Sequence, residues 1–169
     1  MAKTTSFNIL AVILIVLGTI FLLENFDIIH GAWLLWPILP LIMGIGFCML
    51  FFKTRKDLVL LGMGIFTGLN SLFFFYLNFT HWALLTHLWP VFIVIIGITF
   101  LVCFILSRKR VLLYLSVILM ALGASFIVIF VISTMLWPVT LVLAGVSFII
   151  ISIFERKGEA KGAKSVRKR

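Results

Sequence analysis

Three histidines, two cysteines and one Asn-Ser pair are the side chains of this chain best equipped for chemistry. His30, His81 and His87 carry imidazoles that titrate near pH 6.5 or bind zinc when neutral. Their spacings of 51 and 6 residues match no metal-ligand pattern, and Trp33 and Trp82 nearby mark them as interfacial residues. Cys48 and Cys103 sit late in apolar stretches and read as small apolar fillers. Asn70 and Ser71 interrupt a long apolar run, and an amide in hydrocarbon seeks a hydrogen-bonding partner. The pair is therefore either a candidate polar ligand site or a helix-packing contact. No nucleophile–base pair, phosphate loop or pair of carboxylates can be assembled. No catalytic residue, metal or cofactor is expected, and the chain reads as a non-enzyme.

The elements that must position these residues follow from composition. Of 169 residues, 64% are hydrophobic and 11% charged, well below the roughly 25% charged content of soluble domains. Charge is absent from Thr4 to Leu23, Ile28 to Phe52, Leu58 to Ser107 and Val111 to Phe154. A spanning helix needs about 20 apolar residues. The first two gaps fit one span each, and the last two fit two each with a turn between. The runs are apolar on every face, unlike the alternating strands of a membrane barrel, and irregular backbone cannot face lipid. The expected fold is an all-α integral membrane protein of six transmembrane helices, near 7–23, 33–52, 58–77, 84–106, 111–132 and 136–154. The first segment has no small-residue cleavage site and reads as a retained anchor.

All 14 basic residues fall at Lys3, in Lys53, Arg55 and Lys56, in Arg108, Lys109 and Arg110, or in the tail after Glu155. With six spans, all of these lie on one side. Lysine and arginine bias sets orientation, so both termini are expected in the cytoplasm of a plasma membrane. The basic turns are expected to meet anionic lipid headgroups, each basic residue contributing about 1 kcal/mol near the surface. The charge lies between spans without an aromatic platform, so nucleic acid is not an expected partner.

One short pattern occurs three times: Trp36-Pro37 then Gly44, Trp89-Pro90 then Gly97, and Trp137-Pro138 then Gly145. Tryptophan suits the membrane–water boundary, and proline is tolerated in a first helical turn. Seven residues are close to two turns, so each proline and its glycine share a helix face. Glycine leaves a notch where another backbone can approach. Gly64 and Gly68 add a G-x-x-x-G on the third helix. The unit is a helix, an outer loop, a Trp-Pro helix and a basic clamp. It gives three tandem hairpins in parallel, non-inverted topology: residues 1–57, 58–110 and 111–157, then a basic tail at 158–169. Whether they close into a pseudo-threefold bundle or stand in a row is left open.

The stretch from Leu17 to Phe47 resembles the LiaI/LiaF-like transmembrane hairpin, on Gly18, Leu23, Glu24, Asn25, Leu35, Trp36, Pro37 and Gly44. The second unit matches at Gly68, Leu88, Trp89, Pro90 and Gly97, and the third at Gly123, Leu136, Trp137, Pro138 and Gly145. The resemblance implies a bacterial envelope protein tied to cell-wall stress signalling, a setting in which some members restrain a membrane histidine kinase. Three-hairpin proteins of the acid-resistance HdeD type are similar in layout.

The expected function is thus a regulator or interaction protein of the bacterial plasma membrane, acting on a membrane-embedded signalling protein or by self-association. The alternatives are a lipid-binding or oligomeric scaffold and a small transport component with a path lined by Asn70 and Ser71. From sequence alone, leucine at Gly97 or Gly145 is expected to lower thermal stability in detergent more than alanine at any of the three histidines.

Overall fold

The computed structural model describes the backbone of residues 2–26, 28, 31–55 and 57–166, and their side chains except at 2–10, 13, 32 and 156–166. The described chain is helical throughout, with no strand. The helices are α1 (Ala2–Asn25), α2 (Ile38–Thr54), α3 (Leu58–Phe79), the single turn α4 (Leu85–Leu88), α5 (Val91–Ser107), α6 (Arg110–Ile127) and α7 (Val139–Val166). Among the described residues, four stretches are long and apolar enough to cross a membrane: Trp33–Thr54, Leu58–Phe79, Arg110–Ile132 and Thr134–Glu155. A fifth is formed if Trp82–Leu88 and Val91–Ser107, bent by 68° at the Trp-Pro step, count as one. The apolar part described within α1, Leu14–Asn25, is shorter than a span. The first expected span, 7–23, begins among residues whose side chains lie outside the described set.

Each Trp-Pro pair joins a short turn to a long helix in one conformation. Trp36, Trp89 and Trp137 have φ/ψ near −53/−31, −53/−29 and −51/−31. Pro37 and Pro90 follow at −68/−9 and −67/−13, and the helix starts at the next residue. Proline disfavours the α region for the residue before it, yet all three tryptophans occupy it. A ring without an N–H is harmless there, because that amide would have no helical partner.

The opposite ends of the helices are joined by very short connections. Arg55 and Arg108 terminate α2 and α5 in left-handed conformation, with φ of 49° and 57°. Their amides donate to the carbonyls of Phe51 and Phe104, an αL cap that glycine usually makes. Short connections force antiparallel neighbours. Accordingly α2 packs along α3 and α5 along α6, while α3 meets α5 and α6 meets α7. The helices stand in an open row, and α1 touches chiefly the turn at Ala32–Leu35.

A non-glycine residue held in the left-handed region costs about 1–2 kcal/mol. Arg55→Gly and Arg108→Gly are each expected to raise stability by about 1 kcal/mol, read as a higher unfolding temperature in detergent. An unchanged or lower temperature would show that the arginine side chain contributes more than its backbone costs.

Candidate helix-docking site

α2 and α3 approach closely at three glycines. A Cβ built on Gly44 would lie 2.8 Å from the carbonyl oxygen of Gly64 and 2.8 Å from the amide nitrogen of Gly68. One built on Gly64 would lie 2.6 Å from Cys48 Sγ and 2.9 Å from the Gly44 carbonyl oxygen. The two backbones touch there because neither carries a side chain. Toward the Trp-Pro end, the Ser71 hydroxyl donates to the Pro37 carbonyl in a fully buried contact. Asn78 Nδ2 donates to the Leu34 carbonyl at 2.8 Å, while its Oδ1 accepts from the Trp82 indole N–H at 2.9 Å. Trp36 packs on Phe74 with centroids 5.1 Å apart, and Trp82 stacks against both at 6.4 and 6.2 Å.

The α5–α6 contact repeats this arrangement. A Cβ on Gly97 would lie 2.8 Å from Met120 Cγ and 3.1 Å from its nitrogen. One on Gly123 would lie 2.6 Å from Val94 Cγ2 and 3.1 Å from the Val94 nitrogen. Trp89 packs on Phe126 and Phe130 at 5.5 and 5.3 Å. Pro37 and Pro90 are fully buried by these contacts. The Trp-Pro-glycine face of α2 therefore docks on α3, and that of α5 docks on α6.

The third copy is open where the first two are packed. Pro138 and Gly145 are exposed, and Trp137 is 61% exposed against 37% for Trp89. A Cβ on Gly145 would meet nothing within 4 Å, and the same holds for Gly18 on α1. α7 meets α6 with a different face. Thr140, Ala144 and Ser147 look onto Ala121 and Ser125 across an apolar cavity of about 230 Å³.

Asn70 and Ser71 do not form a joint site. Asn70 Nδ2 donates to Phe66 O, one turn back on its own helix, while Ser71 reaches across to α2. Thr99, Ser125 and Ser147 donate to the carbonyls four residues before them, a common arrangement for hydroxyls in helices. Among the described residues no buried side-chain nitrogen or oxygen lacks a partner. No group of three potential metal ligands comes together among them either. His81 and His87 are exposed, and His30 lies outside the described residues. Cys103 is buried among Phe51 and Leu61, and Cys48 is half-buried. Lys53, Arg55, Arg108, Lys109 and Arg110 are all exposed at the short connections, while Lys56 and residues 167–169 lie outside the described set.

The contacts of two residues escaped the sequence reading, those of Asn78 and Glu24. Asn78 was visible only as part of an Asn-Phe-Thr triplet, yet it ties two turns together. Glu24 Oε1 accepts the Gly31 amide at 2.9 Å, and Gly31 holds φ of +91°. The recurrence of Asn-Phe at 25–26 and 78–79 was the available signal for Asn78.

By the length and composition of its helices, the chain has the features of a multi-pass helical membrane protein. Comparison with protein families, with curated proteins and with solved structures finds no match to it.

The contacts separate glycines that the sequence treated alike. Leucine at Gly44 or Gly97 is expected to cost at least the 1–3 kcal/mol of overpacking, because backbone or a buried side chain must move. Leucine at Gly145 is expected to leave thermal unfolding in detergent unchanged. Equal losses at Gly97 and Gly145 would contradict the assignment.

Proposed function

We propose that this is a non-enzymatic protein of a bacterial plasma membrane, acting through helix contacts with other membrane proteins in envelope stress signalling. In this reading α1 is a sixth span, the three hairpins are parallel, and the basic turns and both termini are cytoplasmic. The supporting observation is how the polar groups are spent. Ser71 and Asn78 bond backbone carbonyls across helix contacts, and Asn70, Thr99 and Ser125 bond their own helices. None of them is left facing a shared water path, so the geometry favours an interaction role over conduction. The resemblance to the LiaI/LiaF-like hairpin supports the envelope setting, and the distribution of Lys and Arg supports the orientation.

One observation favours lipid binding as a second reading. An apolar groove of about 440 Å³ runs between α3 and α5, lined by Leu58, Gly62, Met63, Phe66, Ile96 and Phe100 among others. It starts beside the exposed arginines and has room for part of an acyl chain.

Two measurements test the proposal. An engineered cysteine beside Arg55 or Lys109 is expected to resist an impermeant thiol reagent in intact cells, and one beside His81 to react. Purification from native membranes after crosslinking is expected to bring down a second membrane protein in stoichiometric amount. External labelling beside Arg55 overturns the topology. Recovery with phospholipid alone favours the groove.

A further inference from the structure

The register of the two internal contacts shows what α1 and α7 each lack. Residues 11–56 align with residues 64–109 without a gap: Asn25 with Asn78, Trp36 with Trp89, Gly44 with Gly97 and Arg55 with Arg108, each 53 apart. On this alignment Ala11 corresponds to Gly64, Gly18 to Ser71, and Phe21 to Phe74. These α3 residues, with Asn78, are the ones that receive α2. Thus α1 carries the receiving face of the repeat, and among the described residues no long helix packs along it. At the other end α7 carries the inserting face, Trp137, Pro138 and Gly145, which no described residue covers.

We propose that copies of this chain associate head to tail in the membrane, the Gly145 face of α7 in one copy docking on the Ala11–Gly18 face of α1 in the next. The occupant is a second copy because the two vacant faces are complementary halves of a contact the chain already makes twice. In the internal register, Gly44 meets Gly68 and Gly97 meets Met120, so Gly145 meets Ile15, the residue aligned with Gly68. Trp137 then falls on Phe21 as Trp36 falls on Phe74, and Asn25 reaches the Met135 carbonyl as Asn78 reaches that of Leu34. Two copies in one orientation present α7 and α1 antiparallel, as α2 and α3 are. The contact joins different faces, so it builds a ring if the rotation closes and an open array if it does not. It rests on the reading of α1 and α7 as spans, which thiol accessibility tests separately.

The test is disulfide trapping in native membranes, in a Cys48→Ala, Cys103→Ala background. Ala11→Cys and Ile149→Cys replace the counterparts of Gly64 and Cys48, whose contact is the tightest at the α2–α3 crossing. Under copper-phenanthroline oxidation the double variant is expected to give a ladder on non-reducing gels, or one closed-ring band. Co-expressed single variants are expected to give dimer and nothing larger. A faster-migrating monomer alone means that α7 closes on α1 of the same chain, and this overturns the proposal. Uncrosslinked monomer overturns it too, leaving the faces to lipid or to another protein. Gly145→Trp in the double variant is expected to cut the ladder about tenfold with unfolding temperature unchanged. An undiminished ladder would sink the docking register.

Discussion

The structure depends on two close helix crossings, one at Gly44–Gly64–Gly68, where backbone meets backbone, and one at Gly97 and Gly123, where each glycine leaves room for Met120 or Val94. Lipid tails are as apolar as leucine, so burying leucine against leucine gives helices in a bilayer little reason to associate. What remains is close-range dispersion and a few hydrogen bonds, and both need short distances. Removing Cβ at the crossing supplies them. Once α2 lies against α3 in this way, the Ser71 hydroxyl reaches the Pro37 carbonyl and Asn78 reaches that of Leu34. Such bonds average only about 0.6 kcal/mol in membranes. They therefore fix register more than they hold the helices together.

The two ends of each contact are closed differently. At the basic end, two or three residues connect the helices, and a left-handed arginine makes the reversal. At the Trp-Pro end the connections are longer, and side chains hold them: Glu24 on the Gly31 amide, Asn78 between two turns, and tryptophans stacked on phenylalanines of the next helix. The short reversal limits how far one helix can slide along the other. The aromatic and amide contacts then select one register among the few left. The left-handed arginines combine a sharp reversal with a positive charge at the helix end, which suits the negative end of the helix dipole.

The helices were legible because charge gaps and span length leave little choice, and Trp-Pro fixed where the second helix of each unit begins. The glycines at 44 and 97 were legible as notches. The partner of each notch was not. A repeat defines a unit but not its phase: the pattern left the helix that fills each notch open, and the most extensive packing runs between α2 and α3 and between α5 and α6. Loop length carried that information, since the basic connections are shorter than the Trp-Pro loops. The alignment of Gly18 with Gly68 and Gly123 was misleading for a related reason. Glycine was matched to glycine, although Ser71 fills the place of Gly123, and smallness rather than identity is what the crossing needs. Asn70 and Ser71, neighbours in sequence, point to different helices because adjacent residues on a helix are about 100° apart.

Soluble repeat proteins need polar caps because their terminal repeats would otherwise expose apolar surface to water. Lipid removes that need, so a terminal helix can present apolar side chains to acyl chains without a polar cap. Lipid does not, however, account for a notch. A terminal helix facing only acyl chains is served equally well by any apolar side chain, and glycine inside a helix costs about 1 kcal/mol relative to alanine. Gly145 is not required by α6 either, because Thr140, Ala144 and Ser147 make that contact. The residue that closes the α2–α3 and α5–α6 crossings thus recurs where no described residue uses it, beside an exposed Trp-Pro pair. A helix approaching from outside the chain is what would make use of all three.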